Sequence, residues 1–288
     1  MNQTRDSSKY SDSLQTFQKA RLVKLAIAGK GGVGKTLVAA TLSRLLARDG
    51  YKVLAVDVDP AMNLAYALGI PADLASTIIP ICENDKLIEE RTGVLPESSY
   101  GAIFTLTPTV DDIAERFGVI GPEGVRLLVM GTIKSGGSGC MCPANALIRA
   151  LIRHIALKRK EAVVMDMEAG LEHLGRATTK GVDALITVVE PGVQSIETAM
   201  RVKKLALDTG IKEVLAVGNK VVTDGDRKFI ENLLKERDLP LLCVIPFDQA
   251  VSRADMLRIA PIDLTPTSPA ITAIGELKEI LRNKYGEV

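Results

Sequence analysis

The sequence predicts an α/β fold, a doubly wound and mostly parallel sheet with helices on both faces. Two observations predict it. Short runs of Val, Ile, Leu and Ala recur along the chain, and nearly continuous runs of this kind are typical of strands buried on both faces of a parallel sheet. Helical patterns separate these runs, and such alternation indicates strand–helix–strand units.

Eight strands and five helices are expected. The strands are 22–28 (LVKLAIA), 52–57 (KVLAVD), 103–107 (IFTLT), 125–130 (VRLLVM), 161–166 (EAVVMD), 183–189 (DALITVV), 213–218 (EVLAVG) and 241–245 (LLCVI). The helices are at about 36–48, 143–158, 193–208, 226–236 and 269–284. The stretch 70–124 is the least regular because it holds five prolines. In such a sheet, ligands bind at the C-terminal ends of the strands.

Length, composition and charge exclude several classes of protein. The 288 residues are 47% hydrophobic and 25% charged, unlike disordered, collagen-like or disulfide-dense chains. Lys and Arg (36) balance Asp and Glu (35), so no charge excess favours nucleic acid or a membrane surface. No apolar run reaches the roughly 18 residues of a spanning helix. We therefore expect neither a nucleic-acid nor a membrane partner.

The first 20 residues are polar and lack the apolar stretch of a secretory signal. We interpret 1–20 as an N-terminal extension and 21–288 as a single domain, and we expect a cytoplasmic protein. Because cytoplasmic thiols stay reduced, the four cysteines are considered first as metal, redox or packing residues.

A glycine-rich loop follows the first predicted strand. Residues 29–36 read GKGGVGKT, which fits G-x-x-x-x-G-K-[ST] in the strand–loop–helix context that confirms it. Its glycines let backbone N–H groups turn toward phosphate oxygens. We expect Lys35 to neutralise the β- and γ-phosphates of ATP and Thr36 to bind Mg²⁺. The predicted nucleotide-binding residues here are Gly29, Lys30, Gly31, Gly32, Val33, Gly34, Lys35 and Thr36.

The second loop position holds Lys30, which nucleotide binding within one subunit does not require. With it, KGGVGKT at 30–36 resembles the deviant Walker A family of MinD, ParA, ArsA and the nitrogenase iron protein, P-loop NTPases of SIMIBI-like fold. The resemblance implies a homodimer in which Lys30 reaches the partner's nucleotide, so that ATP binding and dimerisation are linked. An ordinary exposed loop lysine is the alternative.

Carboxylates follow the second predicted strand in VDVDPAMNL. Asp57 and Asp59 are suited to orient an attacking water or to hold a Mg²⁺-bound water. D-P-A-x-N resembles the first switch of the family, which implies that Asp59 positions the water, Asp57 supports Mg²⁺ and Asn63 contacts phosphate. An Asp-Pro turn after a strand is the alternative.

Asp166 ends the run EAVVMD, the arrangement that holds a Mg²⁺-bound water. The segment that follows is interpreted as a second switch, in which Gly170 offers its N–H to the γ-phosphate. Glu168 stands where many MinD-type members have Pro, and we favour a turn carboxylate over a second base. The predicted catalytic residues are Lys30, Lys35 and Asp59, and the predicted magnesium residues are Thr36, Asp57 and Asp166.

Two motifs at the ends of later strands are candidates for binding the base. In GNK (218–220), the Asn219 carboxamide both donates and accepts, as the edge of adenine requires, and Lys220 is grouped with it. VVEPG (188–192) contributes Glu190 and Pro191. Simple turns are the alternative at both places.

Cys140 and Cys142 lie in a glycine-rich loop near 136–143. Two thiolates at i and i+2 can share one soft or borderline metal ion. A tetrahedral site needs four ligands, and a symmetric dimer supplies two more from the same motif. The pair therefore favours Zn²⁺ or Ni²⁺ on the axis of a homodimer. Two buried cysteines without a metal, or a strained disulfide, are the alternatives.

Together, GKGGVGKT, DVDPAMN, GGSGCMCP and VVMDMEAGLEHLGR resemble the CooC-type ATPases over about residues 22–288. The resemblance implies an ATPase that matures nickel carbon monoxide dehydrogenase, with close relatives serving acetyl-CoA synthase. It also implies nickel or zinc bound by the C-x-C pair at a nucleotide-controlled dimer interface. Residues 1–20 lie outside this pattern.

Two other functions within the superfamily stay open. A membrane-organising or partitioning ATPase of the MinD or ParA class requires an amphipathic anchor, whereas the last helix is interpreted as docked on the core. An iron–sulfur carrier normally uses C-x-x-C, or single cysteines from two loops. The remaining thiols and imidazoles are interpreted as core and as surface or capping residues, respectively: Cys82, Cys243, His154 and His173.

Overall fold

The computed structural model describes most of the chain after residue 22, and the described ranges are 23–59, 61–95, 103–131, 143–158, 162–169 and 182–285. Its strands are β1 Lys24–Gly29, β2 Val53–Asp57, β3 Val119–Ile120, β4 Arg126–Val129, β5 Ala162–Asp166, β6 Ala184–Val189, β7 Val214–Val221 and β8 Leu241–Pro246. They form one sheet in the order β3-β4-β2-β5-β1-β6-β7-β8. Only β3 is antiparallel to its neighbour among these pairings, which confirms the predicted mostly parallel sheet.

The helices follow the predicted alternation. They are α1 Lys35–Arg48, α2 Leu64–Leu68, α3 Ala72–Ala75, α4 Asp85–Thr92, α5 Ile113–Phe117, α6 Pro143–Lys158, α7 Val193–Thr209, α8 Asp224–Glu236, α9 Gln249–Leu257, α10 Pro261–Leu264 and α11 Pro269–Tyr285. All five predicted helices are confirmed, with ends that differ by up to two residues. The other six are short helices that the sequence analysis did not assign.

The strand predicted at 103–107 is wrong. Ile103 is almost fully exposed, and the segment is bound to the chain by the N–H of Thr105, which donates to the carbonyl of Thr92. The edge of the sheet is occupied instead by β3, which pairs with β4 through Val119 and Ile120. The local apolar pattern of IFTLT is that of a strand, but the segment pairs with no strand of the described sheet.

The two faces of the sheet carry separate apolar cores. In β1, Ala26 and Ala28 pack in the core beneath α4, α6, α7 and α8. Leu25 and Ile27 point the other way, into the core beneath α1, α2 and α11. Because alternate residues of a strand face opposite sides, a strand buried on both sides must be largely apolar, as residues 25–28 of β1 are.

The last helix is docked on the protein, as the sequence predicted. Ile274, Leu277, Leu281 and Tyr285 of α11 are buried in the core that α1 also covers. In the described part of the chain, no helix is long and apolar enough to cross a membrane.

Replacing Leu277 by alanine should lower the free energy of unfolding by about 2–5 kcal/mol, because a fully buried leucine leaves a cavity. Met256 on α9 is 83% exposed, so Met256→Ala is the control and should change the free energy by less than about 0.5 kcal/mol. Urea denaturation followed by circular dichroism measures both. Equal stabilities for the two variants would mean that α11 is not part of the core.

Candidate functional site

The glycine-rich loop lies at the C-terminal end of β1, between β1 and α1. Its strand is flanked by β5 on one side and β6 on the other, so the loop stands in the middle of the sheet edge. Gly34 precedes α1 with a φ of 98°, and a Cβ there would lie 2.2 Å from Asn219 Nδ2. The left-handed backbone and this close approach together admit only glycine.

Lys35 and Asp59, both predicted to act in catalysis, lie together. The Lys35 side chain is only 7% exposed, and its Nζ is 3.7 Å from Asp59 Oδ2. Lys35 Nζ also donates to the carbonyl of Lys30 at 3.5 Å. Asp59 is held in turn by the N–H of Ala61, which donates to its Oδ1. The ammonium group predicted to act on phosphate oxygens and the carboxylate predicted to act on water are thus adjacent.

The predicted magnesium residues also converge. β2 and β5 are neighbours, and Asp57 lies opposite Asp166 in the register. Thr36 Oγ1 donates to Asp166 Oδ2 at 2.7 Å, while Asp166 Oδ1 is buried without a hydrogen-bond partner. A hydroxyl beside a buried carboxylate oxygen that lacks a partner fits a hard divalent cation such as Mg²⁺.

Asp57 is the buried neighbour of this cluster. It is fully buried, and its two oxygens accept the N–H groups of Asp59 and Leu64 at 3.1 and 3.0 Å. These bonds fix the segment that carries Asp59 to the end of β2. A support role behind the magnesium position, as the sequence implied, is compatible with this geometry and stays a prediction.

Burial raises the pKa of Asp57 to about 7, and the nearby carboxylates of Asp166 and Asp59 contribute to the increase. Burial likewise raises the pKa of Asp166 to about 6. Charged carboxylates gathered in a buried place are unfavourable without a cation. This part of the site is therefore suited to receive positive charge.

Between pH 4 and 7, folded Asp57 holds a proton that the unfolded chain has released, so its contribution to the free energy of unfolding falls as pH rises and is constant above pH 7. In EDTA, wild type should therefore lose stability relative to Asp57→Asn by a few kcal/mol across this window. Urea denaturation at successive pH values measures the difference.

Asp226 at the start of α8 provides the control for this titration. Backbone N–H groups of Thr223 and Val222 donate to it and lower its pKa. The difference in stability between wild type and Asp226→Asn should therefore not change between pH 4 and 7. A pH-independent difference between wild type and Asp57→Asn would contradict the raised pKa.

Asn219 and Lys220 brace the glycine-rich loop from β7. Asn219 Nδ2 donates to the carbonyl of Val33 at 2.7 Å, and Lys220 Nζ donates to the carbonyl of Gly32 at 2.6 Å. Lys220 has a φ of 58°, a backbone conformation that residues other than glycine seldom adopt. These two hydrogen bonds to the loop were not predicted from the sequence. Binding of adenine by Asn219 stays a prediction. The hydrogen bond to Val33 uses Asn219 Nδ2 and does not involve Asn219 Oδ1.

Glu190 and Pro191 follow β6 beside the loop. The Glu190 N–H donates to Ser195 Oγ at 3.0 Å, and its carboxylate lies 3.3 Å from Lys220 Nζ and 3.9 Å from Lys30 Nζ. The carboxylate therefore faces ammonium groups, and its predicted contact with nucleotide stays a prediction.

A cleft of about 1030 Å³ lies beside the glycine-rich loop. Its walls include the glycine-rich loop, Asp59, Asn63, Glu168 and one side of α9. The helix α9 was not predicted from the sequence, although a capping residue marks its start. Asp248 follows β8 and accepts the N–H of Ala250 as the helix cap. From α9 and the residue after it, the cleft is lined by Val251, Ser252, Asp255 and Arg258.

Several predicted residues lie outside the described part of the chain: Cys140, Cys142, Gly170 and His173. Of the other cysteines, Cys82 and Cys243 are partly buried and free. Burial raises their pKa values to about 11 and 12, as expected for packing thiols. His154 on α6 lies with Nδ1 3.0 Å from Asp111 Oδ1, as expected for a structural residue.

Comparison with known proteins gives similarity along most of the chain. Residues 24–262 match the family described as the CobQ/CobB/MinD/ParA nucleotide binding domain. The carbon monoxide dehydrogenase accessory protein CooC of Rhodospirillum rubrum is 46% identical over 244 residues, which cover 85% of this chain and 91% of the relative. An uncharacterized ATP-binding protein of Methanocaldococcus jannaschii is also 46% identical, over 84% of this chain and 91% of that protein.

Solved structures show the same fold at lower identity. The MinD cell division protein of Aquifex aeolicus has a TM-score of 0.64 at 21% identity, covering 91% of this chain and 98% of that one. MinD of Pyrococcus horikoshii OT3, complexed with Mg-ADP, has a TM-score of 0.62 at 23% identity, covering 90% and 96%. These likenesses support the assignment of the fold.

Proposed function

Because the chain belongs to the CobQ/CobB/MinD/ParA nucleotide-binding family and, within it, to the CooC-type ATPases, we propose that it delivers nickel to carbon monoxide dehydrogenase or acetyl-CoA synthase. The chain is an ATPase, and hydrolysis of ATP to ADP and phosphate drives the delivery. The observation that carries the proposal is the convergence of Lys35, Asp59 and Thr36 in one cleft. Asp166, which is buried, accepts a hydrogen bond from Thr36 at 2.7 Å.

The polar residues at the glycine-rich loop have separate tasks in hydrolysis. The N–H groups of the glycine-rich loop and the N-terminus of α1 bind phosphate oxygens. Lys35 exchanges Asp59 for the β- and γ-phosphates, which leaves the Asp59 carboxylate to orient the attacking water. Thr36 and Asp166 would hold Mg²⁺, which would supply positive charge for the phosphate oxygens. Asn63 on the wall of the cleft contacts phosphate.

Nucleotide binding couples to dimerisation through Lys30. Its side chain is 40% exposed and belongs to the loop that binds phosphate. In the proposed homodimer, Lys30 of each protomer contacts the nucleotide of the other and thereby tightens the dimer. Formation of the dimer in turn brings the two C-x-C motifs together.

The cargo is held by cysteines from both protomers. Cys140 and Cys142 of each chain supply four thiolates, a set that suits Zn²⁺ in tetrahedral geometry and also binds Ni²⁺. Hydrolysis through Asp59 relaxes the switches, loosens the dimer and lets the metal leave. Both cysteines lie outside the described residues, so this part of the proposal rests on the motif and on dimer symmetry.

Metal content and native mass test the proposal together. Wild type and Cys140→Ser/Cys142→Ser are compared with and without ATP, and Cys82→Ser/Cys243→Ser controls for the other thiols. We expect one Ni²⁺ or Zn²⁺ per dimer in wild type and control, and none in the C-x-C variant. A nucleotide-dependent dimer that binds neither ion would instead favour a MinD-like or ParA-like ATPase. Iron with sulfide would favour a cluster carrier.

A further inference from the structure

Glu190 places one carboxylate between two lysines at the glycine-rich loop. Its Oε1 lies 3.9 Å from Lys30 Nζ and its Oε2 3.3 Å from Lys220 Nζ. Lys220 in turn donates to the carbonyl of Gly32. Among the described residues, Glu190 is the carboxylate within ion-pair distance of Lys30.

The backbone of Glu190 is anchored to the sheet and to α7. It follows β6, whose Val188 lies opposite Gly29 in the sheet register. The Glu190 N–H donates to Ser195 Oγ, and Ser195 is buried in the first turn of α7. The Glu190 carboxylate therefore extends from an anchored backbone, whereas the Lys30 side chain extends from the glycine-rich loop and is 40% exposed.

We propose that Glu190 is a positioning residue that holds Lys30 over its own subunit and competes with the partner's nucleotide for that lysine. The inference rests on the proposed function, in which Lys30 acts across the dimer. It gives Glu190 a role different from the nucleotide contact predicted from the sequence. In this arrangement, Lys30 leaves Glu190 when a partner presents phosphate oxygens, whose charge density is higher than that of one carboxylate.

The ion pair between Lys30 and Glu190 is suited to shift the equilibrium between monomer and dimer rather than to prevent dimerisation. Both side chains are partly exposed, 40% for Lys30 and 26% for Glu190, and water weakens such ion pairs. Lys220 also shares the carboxylate, which reduces its hold on Lys30. Triphosphate at the interface is therefore able to displace Glu190, while a single protomer keeps its lysine turned inward.

Removal of the Glu190 charge tests the proposal. In Glu190→Gln, the dissociation constant of the dimer formed with a non-hydrolysable ATP analogue should fall roughly two- to fivefold. Sedimentation velocity over a protein dilution series measures it. The gain should shrink at high ionic strength, because salt screens the pair in wild type. Glu190→Ala is a second variant with the same expected direction.

Glu231→Gln is the matched control. It removes the same charge from an exposed ion pair with Arg227 on α8 and should leave the dissociation constant unchanged. Damage to the fold by the Glu190 variants would weaken the dimer, so a tighter dimer separates positioning from a structural effect.

Lys30→Ala distinguishes failure of this inference from failure of the proposed function. If Lys30→Ala dimerises with the ATP analogue as wild type does, the role of Lys30 across the interface is wrong. If Lys30→Ala stays monomeric while Glu190→Gln dimerises no more tightly than wild type, only the restraint by Glu190 is wrong.

Discussion

Replacing Lys35 by alanine should reduce the rate of ATP hydrolysis roughly 10²–10³-fold, the usual cost of losing one well-placed group that stabilises developing charge. The Lys35 ammonium lies in a mostly buried position, where its charge is poorly screened by water. The alanine variant also leaves Asp59 without this cation, and the free carboxylate repels a triphosphate. We therefore expect weaker binding of ATP in addition to slower turnover.

Phosphate release and titration with a fluorescent ATP analogue measure the two effects separately. Lys52→Ala is the control, because Lys52 is an exposed lysine just before β2 and the variant makes the same chemical change away from the cleft. If Lys35→Ala retained turnover within about tenfold of wild type, the catalytic role assigned to Lys35 would be wrong.

Gly34→Ala should destabilise the protein by about 3 kcal/mol or more and abolish nucleotide binding. The new Cβ would lie 2.2 Å from Asn219 Nδ2, at a φ of 98° that alanine tolerates poorly. Asn219 is buried and donates to Val33, so it cannot move away without losing that bond. The change therefore distorts the loop and the start of α1 together.

Gly32→Ala is the matched control for Gly34→Ala. Gly32 also has a positive φ, of 79°, but a Cβ there meets nothing within 4 Å. It should therefore show backbone strain alone, about 1–3 kcal/mol by urea denaturation. Adding Asn219→Ala to Gly34→Ala should recover part of the lost stability. Equal losses for the two glycine variants would contradict the clash with Asn219.

Most strands and the phosphate-binding loop are predictable from sequence because their signals are local. A strand buried on both faces must be largely apolar, as residues 25–28 of β1 are, and the glycine spacing of 29–36 is tied to the conformation of the loop. Asp57 and Asp166 were also placed correctly at one edge, since parallel strands end on the same side of a sheet.

Other features depend on contacts between distant parts of the chain. The segment 103–107 has a strand pattern, yet the strand that pairs with the outer side of β4 is β3. The chemistry of Asn219 indicated a hydrogen-bonding partner, but local sequence does not reveal that this partner is the carbonyl of Val33. In the same way, α9 lines the cleft together with the glycine-rich loop, from which it is distant in the sequence.

The strand order also determines the point in its own synthesis at which this protein can first bind ATP. β1 is translated before the other described strands, yet its neighbours are β5 and β6, with Lys24 opposite Val163 and Leu25 opposite Ala184. Until those residues leave the ribosome, the sheet that supports the glycine-rich loop is incomplete. Nucleotide therefore cannot assist folding of the first half of the nascent chain, whose apolar strands stay open to aggregation during that interval.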